Sequence, residues 1–354
     1  MPSLTSQKAL ILPAKQGQFQ VGETIVPKPG PKDVLVKLLS AALNPLDWKI
    51  QAFGIYVEDF PWIAGSDGAG TVEEVGTEVT NRRVGDQVFF QGTLLDPRGA
   101  TFQQYCIVPA ELTGRIPTNI SFDQAATLAS GVSTIMRGVY NHHPQARSLN
   151  YTAPWEEGGK TKYAGKPALI LGGSSSVGQY AIQLAKLSGF SPIVTMASPS
   201  NEQLLLSLGA THVVDRSLPA EAIQRDLIKL VGGKPIDFIL DAISVEETQV
   251  LAYDVLAPGG DLLLTLPDLI PAEKKAGHEK HIVFTYGTVH DPENREVSII
   301  MYNVLSEWLE NGWVVPNNVE VLPNGLAGIP DGLERLKNNK VSAMKLVARP
   351  QETP

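Results

Sequence analysis

The chain has 354 residues, of which 29 are Lys or Arg and 37 are Asp or Glu, so the formal net charge is −8. This length predicts two domains, and 43% hydrophobic against 19% charged residues argues against long disorder. The acidic balance without a basic cluster makes nucleic acid and anionic membranes poor partners. The single cysteine, Cys106, excludes an intrachain disulfide and a four-cysteine zinc site.

Apolar runs are short throughout the sequence. None approaches the ~18 residues that a membrane-spanning helix needs. The apolar stretch near the N-terminus, residues 9–12, is too short for the core of a secretory signal. We therefore expect a soluble, cytoplasmic protein.

The first third of the chain is predicted to be rich in strands. Residues 34–38, 68–76 and 84–90 are strand candidates separated by glycines and prolines. A helix is predicted to begin after Ser121, because Ser121 and Gln124 have the spacing of a capping box. Residues 141–163 show no periodicity and are expected to form an exposed connection.

Strands and helices alternate from residue 166 to residue 266. The predicted strands are 168–171, 193–196, 212–214, 238–240 and 262–264, and the predicted helices are 177–187, 204–208 and 223–230. Such alternation is typical of an α/β fold with a doubly wound parallel sheet. A helix over 297–309, ending near Gly312, and a strand at 345–347 are predicted for the remainder.

The strongest motif lies where the first of these strands meets its helix. Residues 168–171 run into Gly172-Gly173-Ser174-Ser175-Ser176-Val177-Gly178, which resembles a G-x-G-x-x-G dinucleotide fingerprint with Ser175 in place of the middle glycine. Serine is small enough for the backbone to approach a pyrophosphate, and the helix N-terminus supplies amides and a positive dipole. A purely structural turn is the alternative.

The next strand end bears on the choice of cofactor. An NAD site would place Asp or Glu about 20 residues after the fingerprint, but here the sequence is Ala197-Ser198-Pro199-Ser200-Asn201. Hydroxyl and amide groups, with Arg216 nearby, can hold a 2′-phosphate, so NADPH is expected rather than NADH. In the alternative interpretation, Ser198 and Asn201 only cap the next helix.

Three further segments resemble the medium-chain dehydrogenase/reductase superfamily: Asn44-Pro45-Leu46-Asp47-Trp48-Lys49, residues 63–72 and Arg83-Val84-Gly85-Asp86-Gln87-Val88. Together with Ser130-Gly131-Val132-Ser133-Thr134, residues 198–201 and Lys345-Leu346-Val347, they look most like the fungal trans-acting enoyl reductases that work beside polyketide synthases. The resemblance covers nearly the whole chain. It implies a GroES-like catalytic domain over 1–125, a Rossmann NADP-binding domain over 126–290 and a return to the first domain over 291–354.

The resemblance also implies that no metal is used. Many relatives are zinc alcohol dehydrogenases with cysteine, histidine and acidic ligands, but here Asn44 and Asp47 fill the first ligand region and Gly65-Ser66-Asp67 stands in place of Gly-His-Glu. Without a Lewis acid, reduction of an activated C=C bond is favoured over alcohol oxidation, because hydrogen-bond donors can hold the enolate charge.

Site residues are carried over from the resemblance. The predicted catalytic residues are Lys49, near the nicotinamide ribose and the substrate, and Thr134, as a hydrogen-bond donor. The predicted cofactor-binding residues are Asp47, Trp48, Lys49, Gly173, Ser174, Ser175, Ser176, Val177, Gly178, Ser198, Asn201, Arg216, Lys345 and Leu346. The predicted substrate residues are Ser130, Ser133, Thr134, Phe284, Tyr286 and Gly287. Arg216 departs from the family, which usually has tyrosine there.

Three functions are compatible with these residues. The first is an NADPH-dependent enoyl reductase for a small-molecule or carrier-bound unsaturated thioester or enone, with a polyketide synthase as partner. The second is a zinc-free quinone or small-enone reductase, and the third is an NADPH-binding sensor without turnover. A monomer is expected, because Pro267 and charged residues 273–275 follow residues 261–266, taken as the last strand of the sheet, and would blunt that edge.

Overall fold

The computed structural model describes residues 5–277 and 279–354. The strands are β1 (Ser6–Leu12), β2 (Gln20–Ile25), β3 (Asp33–Ala42), β4 (Trp62–Ile63), β5 (Asp67–Val75), β6 (Gln87–Gln91), β7 (Tyr105–Pro109), β8 (Gly114–Arg115), β9 (Ala168–Leu171), β10 (Ile193–Ala197), β11 (His212–Asp215), β12 (Phe238–Asp241), β13 (Asp261–Leu264), β14 (His281–Phe284), β15 (Asn318–Val321) and β16 (Met344–Ala348). The helices are α1 (Pro45–Phe53), α2 (Phe122–Ala125), α3 (Ala129–Tyr140), α4 (Ser176–Leu187), α5 (Glu202–Leu208), α6 (Ala220–Leu230), α7 (Glu246–Val255), α8 (Ala272–Lys275), α9 (Pro292–Glu310) and α10 (Ile329–Lys337). Short 3₁₀ turns occur at Pro97–Gly99, Ala110–Leu112, Pro199–Asn201, Gly325–Gly328 and Pro350–Glu352.

The middle of the chain forms a six-stranded parallel sheet in the order β11-β10-β9-β12-β13-β14. Strand β9 lies in the centre, and all four of its residues are buried. The strand order reverses between β9 and β12, which is where a doubly wound sheet opens a crevice for ligands. The predicted α/β fold with a doubly wound parallel sheet is confirmed.

The β-rich part combines the two ends of the chain. A seven-stranded sheet has the order β15-β16-β3-β5-β6-β8, with β7 also paired to β3, and a three-stranded sheet has the order β2-β1-β4. Strand β16 pairs with β3 through Val347 opposite Ala42. This C-terminal strand therefore lies beside the segment that leads into α1. The exact boundaries predicted for the domains, 1–125, 126–290 and 291–354, stay a prediction.

Local signals in the sequence match local structure at the start of α2. Ser121 accepts a hydrogen bond from the amide of Gln124, and the side chain of Gln124 accepts one from the amide of Ser121. This reciprocal pair is the predicted capping box. The strand predicted for 84–90 begins later, at Gln87, because Gly85 has a φ of +90° and residues 84–86 form a turn.

The prediction of an exposed connection over 141–163 is wrong in part. The segment has no regular helix or strand, but Leu149, Ala153 and Tyr163 are buried. Tyr151 stacks on Tyr163 with ring centroids 4.9 Å apart. Large aromatic side chains bury apolar area wherever the backbone brings them together, and they need no periodicity to do so.

The strand at the edge of the parallel sheet is β14 and not the predicted one. Residues 261–264 form β13, which pairs with β12 on one side and with β14 on the other. The edge of the sheet is β14, so Pro267 and the charges after β13 do not protect it. The monomer therefore stays a prediction without that support. None of the helices in the described ranges is long and apolar enough to cross a membrane.

Candidate functional site

The turn between β9 and α4 has the geometry that a phosphate-binding turn requires. Gly172 ends the strand with a φ of +75°, and Ser175 caps α4 by accepting a hydrogen bond of 3.0 Å from the amide of Gly178. A Cβ atom on Gly178 would lie 2.2 Å from the oxygen of Gly172, so only glycine allows this close packing. Gly172 belongs to the fingerprint segment but is not among the predicted cofactor residues, although the pair of adjacent glycines at the strand end is a signal for a left-handed turn.

The other residues of this turn lie where the sequence predicted them, in one loop at the carboxyl end of β9. Gly173 is buried, and a Cβ atom there would collide with the hydroxyl of Thr195. The hydroxyl of Ser176 donates to Asn317 at 2.5 Å, while Ser174 and Val177 are partly exposed. Backbone amides at the start of a 12-residue helix face the crevice of the sheet, and they fit a pyrophosphate group.

The end of β10 brings together the residues predicted to choose the cofactor. The amide of Arg216 donates to the carbonyl of Ala197 at 3.1 Å, which sets Arg216 beside Ser198. The Arg216 side chain is exposed. Neither Ser198 nor Asn201 caps a helix with its side chain, so the capping interpretation is wrong. The amide group of Asn201 instead donates to Ser342 at 3.1 Å.

Helix α1 carries the first predicted catalytic residue. Lys49 is half-buried, and its ammonium group lies 5.9 Å from the centre of the Trp48 ring. Burial lowers the pKa of Lys49 below its usual value of 10.5. Among the residues that the structure describes, no side chain or carbonyl forms a hydrogen bond or salt bridge with this ammonium group. The charge of Lys49 is therefore available to a bound ligand.

Asp47, on the same helix, faces the protein interior. It is 1% exposed, and one carboxylate oxygen accepts a hydrogen bond of 2.8 Å from the amide of Asn44. Burial raises the pKa of Asp47 from 3.8 to about 7, with the nearby Asp67 carboxylate acting in the same direction and the Asn44 amide opposing it. The predicted contact of Asp47 with a cofactor stays a prediction, and the carboxylate serves the start of α1 in this structure.

Helix α3 carries the second predicted catalytic residue. Thr134 is partly exposed, and its hydroxyl donates to the carbonyl of Ser130 at 2.8 Å. To donate to a substrate, the hydroxyl must release that bond. Ser133 is fully buried and its hydroxyl donates to the same carbonyl at 3.2 Å, so the predicted contact of its side chain with substrate is not supported. Ser130 is partly exposed.

Three aromatic side chains, Tyr56, Phe284 and Tyr286, form a cluster at the end of β14. Tyr286 follows β14, is 53% exposed and lies 5.9 Å from Phe284 and 6.3 Å from Tyr56 between ring centroids. Arg137 of α3 holds this segment by donating to the carbonyl of Tyr286 at 2.8 Å. Gly287 has a φ of +91° and turns the chain there. Tyr56 was missed, because nothing in its local sequence distinguishes it.

The structure places the side chains of Lys345 and Leu346 differently from the expectation that they bind the cofactor. Leu346 is 1% exposed and packs in the core. Lys345 is also buried, and its ammonium group donates to Asn44 at 2.6 Å. Strand β16 lies antiparallel to β3, so Lys345 approaches Asn44 across the sheet. A cofactor contact from this strand would need to come from its backbone.

The residues in the region of the family's zinc site do not fit a metal ion. Within residues 5–277 and 279–354, no group of three His, Cys, Asp or Glu side chains could hold one. Asn44 and Asp67 are joined there by the ammonium group of Lys345, whose nitrogen is 3.5 Å from Asp67, and Asp47 accepts a hydrogen bond from the amide of Asn44. Cys106 is fully buried on β7 and burial raises its pKa, while His142 is bonded to Glu156 at 2.8 Å.

Comparisons with known proteins agree with this geometry. The profile of the alcohol dehydrogenase GroES-like domain matches residues 30–118, and that of the zinc-binding dehydrogenases matches residues 176–265. A trans-enoyl reductase of Pyricularia oryzae is 30% identical over 97% of this chain and 98% of its own length. Another from Gibberella zeae is 30% identical over 98% of both chains.

Solved structures share the fold at lower identity. A putative zinc-dependent alcohol dehydrogenase from Rhizobium etli superposes with a TM-score of 0.82 at 23% identity, covering 98% of this chain and 99% of its own. A quinone oxidoreductase from Pseudomonas syringae gives a TM-score of 0.77 at 21% identity, covering 96% and 99%. The chain belongs to the medium-chain dehydrogenase/reductase family and, within it, to the fungal trans-enoyl reductases, which are oxidoreductases acting on C=C bonds.

Proposed function

We propose that the protein is an NADPH-dependent enoyl reductase that acts on a carrier-bound α,β-unsaturated thioester made by a polyketide synthase. The observation that carries the proposal is the half-buried ammonium group of Lys49, which no other described residue neutralises. It stands on α1 in a protein whose relatives are named trans-enoyl reductases. A polyketide-type substrate comes from that family membership.

The residues of the fingerprint turn fit the pyrophosphate of a dinucleotide, and NADPH supplies the hydride when it is bound. Arg216 and Ser198 at the end of β10 provide a guanidinium and a hydroxyl group for a 2′-phosphate. Residues 197–201 contain no carboxylate that would repel such a phosphate, and the carboxylate of Asp215, next to Arg216, accepts hydrogen bonds from Ser217. This local charge pattern supports NADPH over NADH.

The protein's own part in the reaction is to hold charge at the substrate carbonyl. Addition of hydride to the β-carbon sends the electron pair of the C=C bond to the thioester oxygen. The Lys49 ammonium and the Thr134 hydroxyl are the donors that we assign to that oxygen. A proton from Lys49 or from solvent then completes the α-carbon.

The experiment follows NADPH absorbance with three acceptors side by side: a short α,β-unsaturated thioester, a quinone and a saturated ketone. Preferential consumption with the thioester supports the proposal. Consumption with the quinone alone would replace it by the quinone reductase, and the same fold in a quinone oxidoreductase makes that the relevant competitor. NADPH binding without consumption by any acceptor, including an unsaturated acyl carrier protein, would leave the non-catalytic sensor.

A further inference from the structure

A buried ion pair lies at the centre of the β-rich part of the molecule. Lys345 is 6% exposed and Asp67 is not exposed at all. The Lys345 nitrogen is 2.6 Å from the side-chain oxygen of Asn44 and 3.5 Å from Asp67. The Asn44 amide group donates to the same oxygen of Asp67 at 2.8 Å. Each charge thus has a partner, as buried charges require.

The other oxygen of Asp67 extends this network to α3. It accepts a hydrogen bond of 2.7 Å from the backbone amide of Ser130, in the first turn of that helix. The Ser130 hydroxyl in turn accepts a hydrogen bond of 2.9 Å from Gln91, at the end of β6. Gln91 then accepts one of 3.0 Å from the amide of Val289, in the segment after β14.

The network joins the segments that carry the proposed catalytic and substrate residues. Asn44 directly precedes α1, which carries Lys49, and Ser130 lies one turn before Thr134 on α3. Val289 anchors the segment that contains Tyr286. These segments are far apart in sequence. Asn44 and Lys345, for example, are separated by 301 positions.

We propose that Asp67 and Lys345 are positioning residues, a buried ion pair that holds α1 and α3 at the distance at which Lys49 and Thr134 act on one substrate. This inference rests on the proposed enoyl reduction. The ammonium group contacts Asn44 and Asp67, which belong to the two segments where the resemblance places the ligands of metal-dependent relatives. Lys345 is buried and its ammonium group already contacts Asn44 and Asp67, so it does not reach a substrate carbonyl. Lys345 therefore acts on other residues of the protein and not on the substrate.

The test compares Asp67→Asn, Lys345→Met and the variant with both changes. Each single change leaves one buried charge without its partner, and we expect kcat to fall about 10- to 100-fold through misplacement of the two helices. The KM for NADPH should change less than kcat, because the fingerprint turn is not part of the network. The double variant should lose less than the product of the two single losses, because neither charge remains.

Asn44→Ser provides a milder variant, because serine keeps a good helix start while losing the contacts with Lys345 and Asp67. It should lower kcat in the same direction without unfolding the protein. The matched control is the exposed pair Lys274–Asp254, 2.7 Å apart. Lys274→Met and Asp254→Asn should leave kcat unchanged.

Amide hydrogen exchange separates this inference from the proposed function. Amide hydrogen exchange in the first turn of α3 should become faster in Asp67→Asn but not in the control variants, whether or not the enzyme reduces a thioester. Faster exchange supports the positioning role even if no thioester is turned over. Variants that melt at a lower temperature yet keep kcat and α3 exchange would overturn the inference. So would a kcat loss in the double variant equal to the product of the two single losses. Stoichiometric zinc binding that Asp67→Asn abolishes would also overturn it.

Discussion

Lys345 and Lys49 differ in what surrounds their ammonium groups. Lys345 is almost fully buried but is held by Asn44 and Asp67. Lys49 is only half-buried, yet none of the described residues forms a hydrogen bond or salt bridge with it, and burial lowers its pKa. A buried charge with partners holds the protein together, whereas one without partners is free for a ligand.

The largest effect is expected from Lys49. Lys49→Ala should reduce turnover of an unsaturated thioester by about 10²- to 10³-fold, because it removes a charge that stabilises the transition state. NADPH consumption at saturating substrate measures the loss. Lys15→Ala is the matched control, because Lys15 forms an exposed salt bridge with Glu58 and should have no effect. Equal activity in both variants would remove Lys49 from the site.

The lowered pKa of Lys49 gives the pH dependence its direction. If the charged amine acts on the substrate, the alkaline decline of kcat should set in below pH 10.5, the ordinary value for lysine. Lys49→Arg should shift that decline upward, because guanidinium stays charged over the whole range. A decline at the same pH in both proteins would assign it to another group.

The buried carboxylate of Asp47 gives the next prediction, which concerns stability rather than activity. The pKa of Asp47 is raised from 3.8 to about 7, so its contribution to the free energy of unfolding is largest below 3.8 and is lost as the pH rises to about 7. The stability of Asp47→Asn relative to the wild type should therefore rise between about pH 4 and about pH 7 and level off above that. Each kcal/mol corresponds to about 1–2 °C in a chain of this length, and a constant difference in Tm across this range would contradict the shift.

The sequence predicted best those features that depend on residues close together in the chain. The turn after β9 and the cap of α2 depend on residues within a few positions, and both lie as expected. Lys345 was expected to bind the cofactor because its own segment, Lys345-Leu346-Val347, resembles the family. Its burial against Asn44 follows from strand pairing across 301 positions, which no local pattern encodes. The edge strand β14 was missed for a related reason, since parallel pairing places it beyond β13.

The exposed guanidinium of Arg216 gives a test of the proposed 2′-phosphate site. Arg216→Ala should raise the KM for NADPH about tenfold, in line with loss of a hydrogen bond to a charged group, and should leave the KM for NADH unchanged. Arg225→Ala is the matched control, since Arg225 is an exposed arginine on α6. A parallel loss for both cofactors would place Arg216 outside the 2′-phosphate site.

The smallest effect is expected at Thr134, where two neighbouring hydroxyls make the experiment sharp. Thr134 and Ser133 both donate to the carbonyl of Ser130, but only Thr134 is partly exposed. Thr134→Val should lower kcat about 3- to 10-fold, the size of one hydrogen bond, with little change in Tm. Ser133→Ala should act mainly on Tm, because its hydroxyl is buried. If the two variants change kcat and Tm alike, Thr134 serves helix packing as Ser133 does, and Lys49 alone would then hold the charge on the substrate oxygen.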